Sequence, residues 1–241
     1  MTATDGPAAP GRAAGGGPVG GGHGIADAAD AGAFLARLVR LDRDAPVRLR
    51  SGGVRGRTAL WGRLPWGVLV VRTVAGDGPG DATVSAGELL AELAAGGAAL
   101  PTRRDERWRW PLPPTASRRV ETLPGGELRR VAAAAADALR EAGTHGVGGR
   151  AVGQRALRDA LLDHVPVVVT PDDPPGEPVE VTQRMVQGLV RMGFLGASEG
   201  SAETGDGGDV QVRTVGRWVG LVGPYGAIWS QKATELAVRP L

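Results

Sequence analysis

Apolar and polar positions follow two rhythms along this chain, and each change of rhythm marks an element. Phe34, Leu35, Leu38, Val39 and Leu41 recur at helical spacing in a segment that begins near Asp27 and ends at Pro46. Val47-Arg48-Leu49-Arg50 then alternates strictly, as a half-buried strand does. Segments 58–63 and 68–74 flank a turn at Leu64-Pro65-Trp66-Gly67 and read as a hairpin. The run Val68-Leu69-Val70-Val71 is apolar on both faces, which predicts a central strand covered on both sides. Ser85-Ala86-Gly87-Glu88 is a capping box that opens a helix through Leu93. Segment 103–114, RRDERWRWPLPP, is expected to be extended, with Trp108 and Trp110 on one side and Arg107 and Arg109 on the other.

The same rhythms recur further along the chain. Leu128, Val131, Ala132, Ala135 and Leu139 predict an amphipathic helix over 127–141, with Gly143 as its stop and 143–149 as a connection. A helix over 152–163 with Leu157, Ala160 and Leu161 inward leads to a strand at 165–170, which Pro166 places on an edge. Thr182 caps a helix whose buried face is Met185, Val186, Leu189 and Val190, with Phe194 just past its end. Residues 196–209 are Gly, Ser and acid, and read as a mobile loop. Strands follow at 210–215, 217–222 and 227–230, the last two joined at Gly223-Pro224-Tyr225-Gly226, and the final KATELAVRPL is assigned no element.

The fold class expected is α+β, with two helix-plus-antiparallel-sheet halves at 27–143 and 150–241. Residues 1–26 are Gly, Ala and Pro with too little apolar surface to offset chain entropy, and are expected to be a disordered tail. The halves run in parallel: Leu38-Val39-Arg40-Leu41, VRLR and TALWGRLPWGVLVVR stand against Leu189-Val190-Arg191-Met192, VQVR and RWVGLVGPYGAIWSQ. Both hairpin turns carry Pro, an aromatic and Gly, at Pro65-Trp66-Gly67 and Pro224-Tyr225-Gly226. Internal duplication and convergence on a common turn both account for this.

Composition narrows the chemistry. The chain has no cysteine, which removes disulfides, thiolate metal sites and a Cys nucleophile, and leaves a reducing cytoplasm as the expected compartment. Residues 1–24 hold no apolar stretch behind a basic start, so no signal peptide is expected there, and no run of about 18 apolar residues predicts a membrane span. The formal charge is only +2, but residues 37–72 hold nine arginines against Asp42 and Asp44. That local excess gives the first half a basic field. Lys232 is the only lysine, so the chain's positive charge is almost all guanidinium.

Searching for catalysis finds no anchor. The glycine run before the first helix lacks a preceding strand and a Gly-Lys-Ser/Thr ending, so it is no phosphate loop. His23, His145 and His164 show no i, i+4 metal spacing; His164 beside Asp159 or Asp163 would make an acid/base pair, but a helix C-terminus explains that His more simply. Asp105-Glu106 and Asp172-Asp173 fall in loops, and no Gly-x-Ser-x-Gly elbow exists. The sequence therefore assigns no catalytic, cofactor or metal residue.

Six tryptophans supply most of the aromatic area, beside one Tyr and two Phe. As core they pack the sheet; exposed beside arginines they would form a stacking platform for single-stranded nucleic acid. Arg48, Arg50, Arg63, Arg107, Arg109, Trp108 and Trp110 are the candidate binding surface. The order helix 152–163, strand, helix 182–193 and hairpin also has a winged-helix reading, opposed by the long Pro-rich connection between the helices.

At LWGRLPWGVLVVRTV, RALRDALLDHVPVVV and RMVQGLVRMGFLG the chain resembles conserved actinobacterial proteins of unknown function. The resemblance implies a cytoplasmic protein and brings no active site. The function expected is a non-enzymatic binding or regulatory protein for a macromolecular partner, protein ahead of nucleic acid. Nucleic-acid binding and an enzyme without a recognisable motif are the alternatives.

Overall fold

The doubly apolar run at 68–71 lies where the two halves of the molecule meet. In the computed structural model, which describes residues 21–145, 154–171, 176–196 and 208–232, the chain is a mixed α+β protein. In its first half α1 (Ala28–Leu41) leads into β1 (Pro46–Ser51), β2 (Arg57–Arg63), β3 (Leu69–Ala75), β4 (Asp81–Ser85) and α2 (Ala86–Ala94). A 3-10 turn at Asp105–Arg107 precedes β5 (Arg118–Leu123), α3 (Gly125–His145), α4 (Gln154–Asp163), β6 (Val167–Val169) and β7 (Val179–Val181). The chain then runs through α5 (Gln183–Arg191), β8 (Val210–Val215), β9 (Trp218–Gly223) and β10 (Gly226–Gln231).

Eight strands form one antiparallel sheet in the order β4-β1-β2-β3-β10-β9-β8-β5, and β6 pairs with β7 in a separate ribbon. The seam is β3 against β10, with Val70 opposite Ile228 and Leu69 opposite Trp229. Read outward from it, the two wings match: β3, β2, β1, β4 on one side and β10, β9, β8, β5 on the other. A helix precedes the three meandering strands in each wing, α1 in one and α5 in the other. The helix–strand–hairpin repeat of the sequence is thus present in the topology.

Alternation along the strands sorts side chains onto two faces. Val47, Leu49, Leu60, Val70, Val74, Val212, Leu221 and Ile228 point to the helices and are almost wholly buried. There they meet Phe34, Leu35 and Leu38 of α1 and Met185, Val186 and Leu189 of α5, each burial contributing about 1.5–3 kcal/mol. Phe34 and Phe194 stack with ring centroids 6.3 Å apart. Close approach needs glycine twice: a Cβ on Gly62 would lie 2.8 Å from Leu38, and one on Gly188 would lie 3.2 Å from Leu64 and 3.3 Å from Ile228.

Several expectations are corrected. Strands β4 and β5 were not foreseen; both are short edge strands whose outward positions are polar, a pattern that blurs alternation. Part of segment 103–114 coils into the 3-10 turn instead of staying extended. Helix α3 runs on to His145, so Gly143 lies inside it rather than stopping it. In α4, Ala160 is exposed and Leu162 is half-buried in its place. Thr182 occupies the N-cap of α5, but its hydroxyl makes no capping bond.

The two turns share residues but not geometry. Leu64 N–H donates to Val68 O, closing a three-residue loop with Gly67 at φ 95°, whereas Gly223 pairs with Gly226 around Pro224 and Tyr225 alone. Residues 21–26, expected in the tail, are held: Gly22 bridges to Ala99, Ile25 is buried, and His23 is 4% exposed. His23 Nδ1 accepts from Ile25 N–H at 3.0 Å, so the proton is on Nε2, which donates to Gly97 O at 3.0 Å. The rest of the expected tail, most of the 196–209 loop, most of the 143–149 connection and residues 233–241 lie outside the described residues.

Because both wings hang on one seam, Ile228→Ala should lower unfolding free energy by about 2–5 kcal/mol. Guanidinium titration followed by tryptophan fluorescence and by helical circular dichroism should show both signals shifting together. Separate transitions would mean that the wings unfold independently.

Candidate functional site

The sheet face turned away from the helices is built from the other half of the alternation. Strand β2 places Trp61 and Arg63 there, β1 places Arg48 and Arg50, β3 Leu69, β9 Trp218, and β10 Ala227 and Trp229. The segment after the 3-10 turn lays Trp108 and Trp110 across this layer. Their rings meet edge to face at 5.5 Å and 89°, and Trp108 Nε1 donates to Trp110 O at 2.7 Å. Trp229 lies flat over Gly220, where a Cβ would stand 2.6 Å from the ring. Trp108, Trp218 and Trp229 are buried, while Trp61 and Trp110 are half-buried. These rings form a second, smaller core.

The arginines then divide. Arg48 grips Asp81 through two bonds of 2.7 Å and lies 6.0 Å over Trp108. This hydrogen bond holds the Asp81 carboxyl below its ordinary range and raises Arg48. Arg50 reaches the same carboxylate at 3.5 Å. Asp105 is also held low, first by the backbone N–H of Thr83 and then by Arg103. Arg63 lies 4.8 Å over Trp110, and among the described residues no carboxylate comes within 4.0 Å of it. Burial pushes its guanidinium below the usual range. Arg107 donates to Asp44 O at 3.1 Å, and both Arg107 and Arg109 are exposed. Arg48, Trp108, Trp110 and Arg63 therefore follow one another in a chain of contacts, Arg50 adjoins Arg48 through Asp81, and the exposed Arg107 and Arg109 flank Trp108 in the sequence.

The turn residues lie toward the helices, and only Gly67 adjoins this cluster: a Cβ there would stand 3.4 Å from Arg63 Nη2. Trp66 faces the helices, its Nε1 donating to Arg184 O at 3.0 Å while Arg184 returns a bond of 2.7 Å to Trp66 O. Tyr225 is 49% exposed with Arg72 5.3 Å from its ring. His164 is exposed, and Asp163 is bonded to Arg184. Among the described residues no three His, Cys, Asp or Glu side chains gather as metal ligands.

Sequence reasoning missed a groove of about 870 Å³ on the helix side, between α3, α4 and α5. Leu41, Trp66, Ala135, Leu139, Leu161 and Leu162 line it, with Arg155, Arg158 and Arg191 also on its walls. The small side chains of α3 at Ala135 and Ala136 were the available signal, because they leave space against a neighbouring helix.

By its fold the protein is an α+β chain whose two sheet wings repeat about a central seam. It belongs to the family described as Domain of unknown function (DUF8185), which matches residues 112–235; residues 23–110 match a second, Domain of unknown function (DUF8010). No curated protein matches it significantly. Among solved structures it is similar to a DNA polymerase sliding clamp from Pseudomonas aeruginosa crystallised with ligand, at 14% identity and TM-score 0.49, over 85% of this chain and 62% of that one. A DNA polymerase beta subunit from Streptococcus pyogenes gives 9% identity and TM-score 0.49, over 83% and 61%. The chain spans about three fifths of the length of these structures. Among the described residues no helix is long and apolar enough to cross a membrane.

The folded carboxyl of Asp81 titrates below its ordinary 3.8, so its stabilisation is complete above that value and is lost as pH falls through the depressed one. Asp81→Asn should therefore cost stability at neutral pH, by about 1 kcal/mol or less for so exposed a pair. Thermal melts from about pH 6 down to about pH 2 should show the difference from the parent vanishing at the acid end.

Proposed function

We propose that the chain is a non-enzymatic binding protein that engages an acidic macromolecular partner through the Arg–Trp face of its sheet. The observation that carries this is Arg63, a half-buried guanidinium stacked on Trp110 with no carboxylate beside it among the described residues. Partial burial costs the charge some of its hydration, and a cation–π contact returns only about 0.5–1 kcal/mol at such a site. An incoming carboxylate supplies the missing counter-charge through paired hydrogen bonds, which guanidinium geometry favours.

Support also comes from rigidity. Arg63 is mounted on a strand next to the seam and backed by a tryptophan, so little conformational freedom is lost on binding. Exposed Arg50, Arg107 and Arg109 extend the positive field around it. A protein partner is favoured over nucleic acid because Trp108, Trp218 and Trp229 spend their ring faces on the sheet, leaving few free planes for bases.

Fluorescence anisotropy with a labelled polyglutamate peptide, single-stranded DNA and duplex DNA tests the reading across a range of salt. The acidic peptide should bind with salt-sensitive affinity, and Arg63→Gln combined with Arg109→Gln should weaken it about tenfold. DNA binding tighter than the peptide would put nucleic-acid recognition first. No binding of any probe at low salt would overturn both.

A further inference from the structure

The groove on the opposite side of the molecule has a different chemistry. We infer that it is a binding site for a small amphipathic anion, an acyl chain or aromatic body that ends in a carboxylate. Its volume of about 870 Å³ falls among cavities that hold small molecules. The walls separate by character. Leu41, Trp66, Leu139, Leu161 and Leu162 give an apolar surface, and Arg155, Arg158 and Arg191 add three cations against Asp159 alone. Arg155 approaches Asp159 only at 4.0 Å, and among the described residues Arg158 and Arg191 have no carboxylate within that distance.

Two further observations point to an occupant. Gln183 lines the groove at 1% exposure, yet among the described residues its Nε2 has no hydrogen-bond partner. An unsatisfied buried donor is costly, and a small turn of the Gln183 amide into the groove would let a ligand oxygen satisfy it. Helix α4 is amphipathic, but none of its residues with a described side chain is buried; Leu157, Leu161 and Leu162 are left half-covered. An apolar body in the groove would complete their burial.

The walls also choose between occupants. Apart from the turn at Pro65 and Trp66 they are helices, whose backbone groups are bonded internally, so they offer no free strand edge along which an extended peptide could add. A compact ligand needs only an apolar surface, one buried donor and cations for its charge.

The anionic fluorophore 8-anilinonaphthalene-1-sulfonate serves as probe for the full chain. It should bind one to one with enhanced fluorescence and be displaced by decanoate about tenfold more readily than by decylammonium. Ala136 is exposed at the groove wall, so Ala136→Trp should fill the site and abolish binding, with unchanged circular dichroism confirming the fold. Arg158→Gln with Arg191→Gln should weaken decanoate about tenfold and leave decanol unaffected. Arg63→Gln, on the other face, should change none of this.

Retained binding in a folded Ala136→Trp variant would overturn the site, and equal displacement by decylammonium would overturn its preference for anions. Displacement by an acidic amphipathic helical peptide but not by decanoate would overturn the small-ligand assignment in favour of a peptide.

Discussion

The pairing of β3 with β10 is the constraint on which everything else depends. Val70 and Ile228 face each other at the centre of an eight-stranded sheet, and neither is accessible to solvent. The strands at that position carry apolar side chains on both faces, Val70 and Ile228 on one and Leu69 and Trp229 on the other, so both faces must be covered. The helix side is closed by α1 and α5, which pack closely because Gly62 and Gly188 carry no side chain. The other side has no helix layer among the described residues, and tryptophans cover it instead. A ring brings a large buried area from a single position. It also leaves a rim at which arginine can stack. The cationic face is thus a by-product of how the sheet's second surface is closed.

Much of this architecture was legible in the sequence, and the exceptions share a cause. The β2–β3 hairpin could be read because turn chemistry at Pro65-Trp66-Gly67 adjoins an apolar run of strand length. Helix α5 could be read because Met185, Val186 and Leu189 keep one face. Strands β4 and β5 escaped because edge strands carry polar residues outward, and their assignment depends on which neighbour they meet. Among the candidate residues, alternation put Trp108 and Trp110 on one side of their segment but left open whether that side meets the sheet or solvent, which is set by a layer built from distant strands. The pairing of Arg48 with Asp81 across 33 positions did not, since nothing local in the sequence joins them. The groove is a property of spacing between α3, α4 and α5, and no single segment encodes it.

The repeat has a basis beyond shared turn residues. In the first wing the order is α1, three strands, β4, α2; in the second it is β5, α3, the α4–β6–β7 segment, α5, three strands. Strand β4 lies next to β1 as β5 lies next to β8, and α2 packs on α1 as α3 packs on α5. The wings hold equivalent elements in circularly shifted order. A direct link from the end of α2 to the start of α1 would give the first wing the order of the second. The chain lies where such a link would run: Gly22 bridges to Ala99, and His23 is bonded to Gly97 and Ala98.

That equivalence also explains why the groove lies against the helices of the second wing. In the first wing α1 and α2 pack directly, with the residue 22–99 contact closing the gap beside them. In the second, the connection from α3 to α5 carries an additional helix and a two-stranded ribbon, and α4 contacts both helices without burying any of its described side chains. An inserted helix cannot join the sheet core, because α5 already occupies the position over β10. It can only lean on the outer surfaces of α3 and α5, where Ala135 and Ala136 leave room. The ribbon that comes with it does reach the core through Val169, Val179 and Val181, but the helix stays outside, and the space beneath it follows from adding a helix where α5 already covers the sheet.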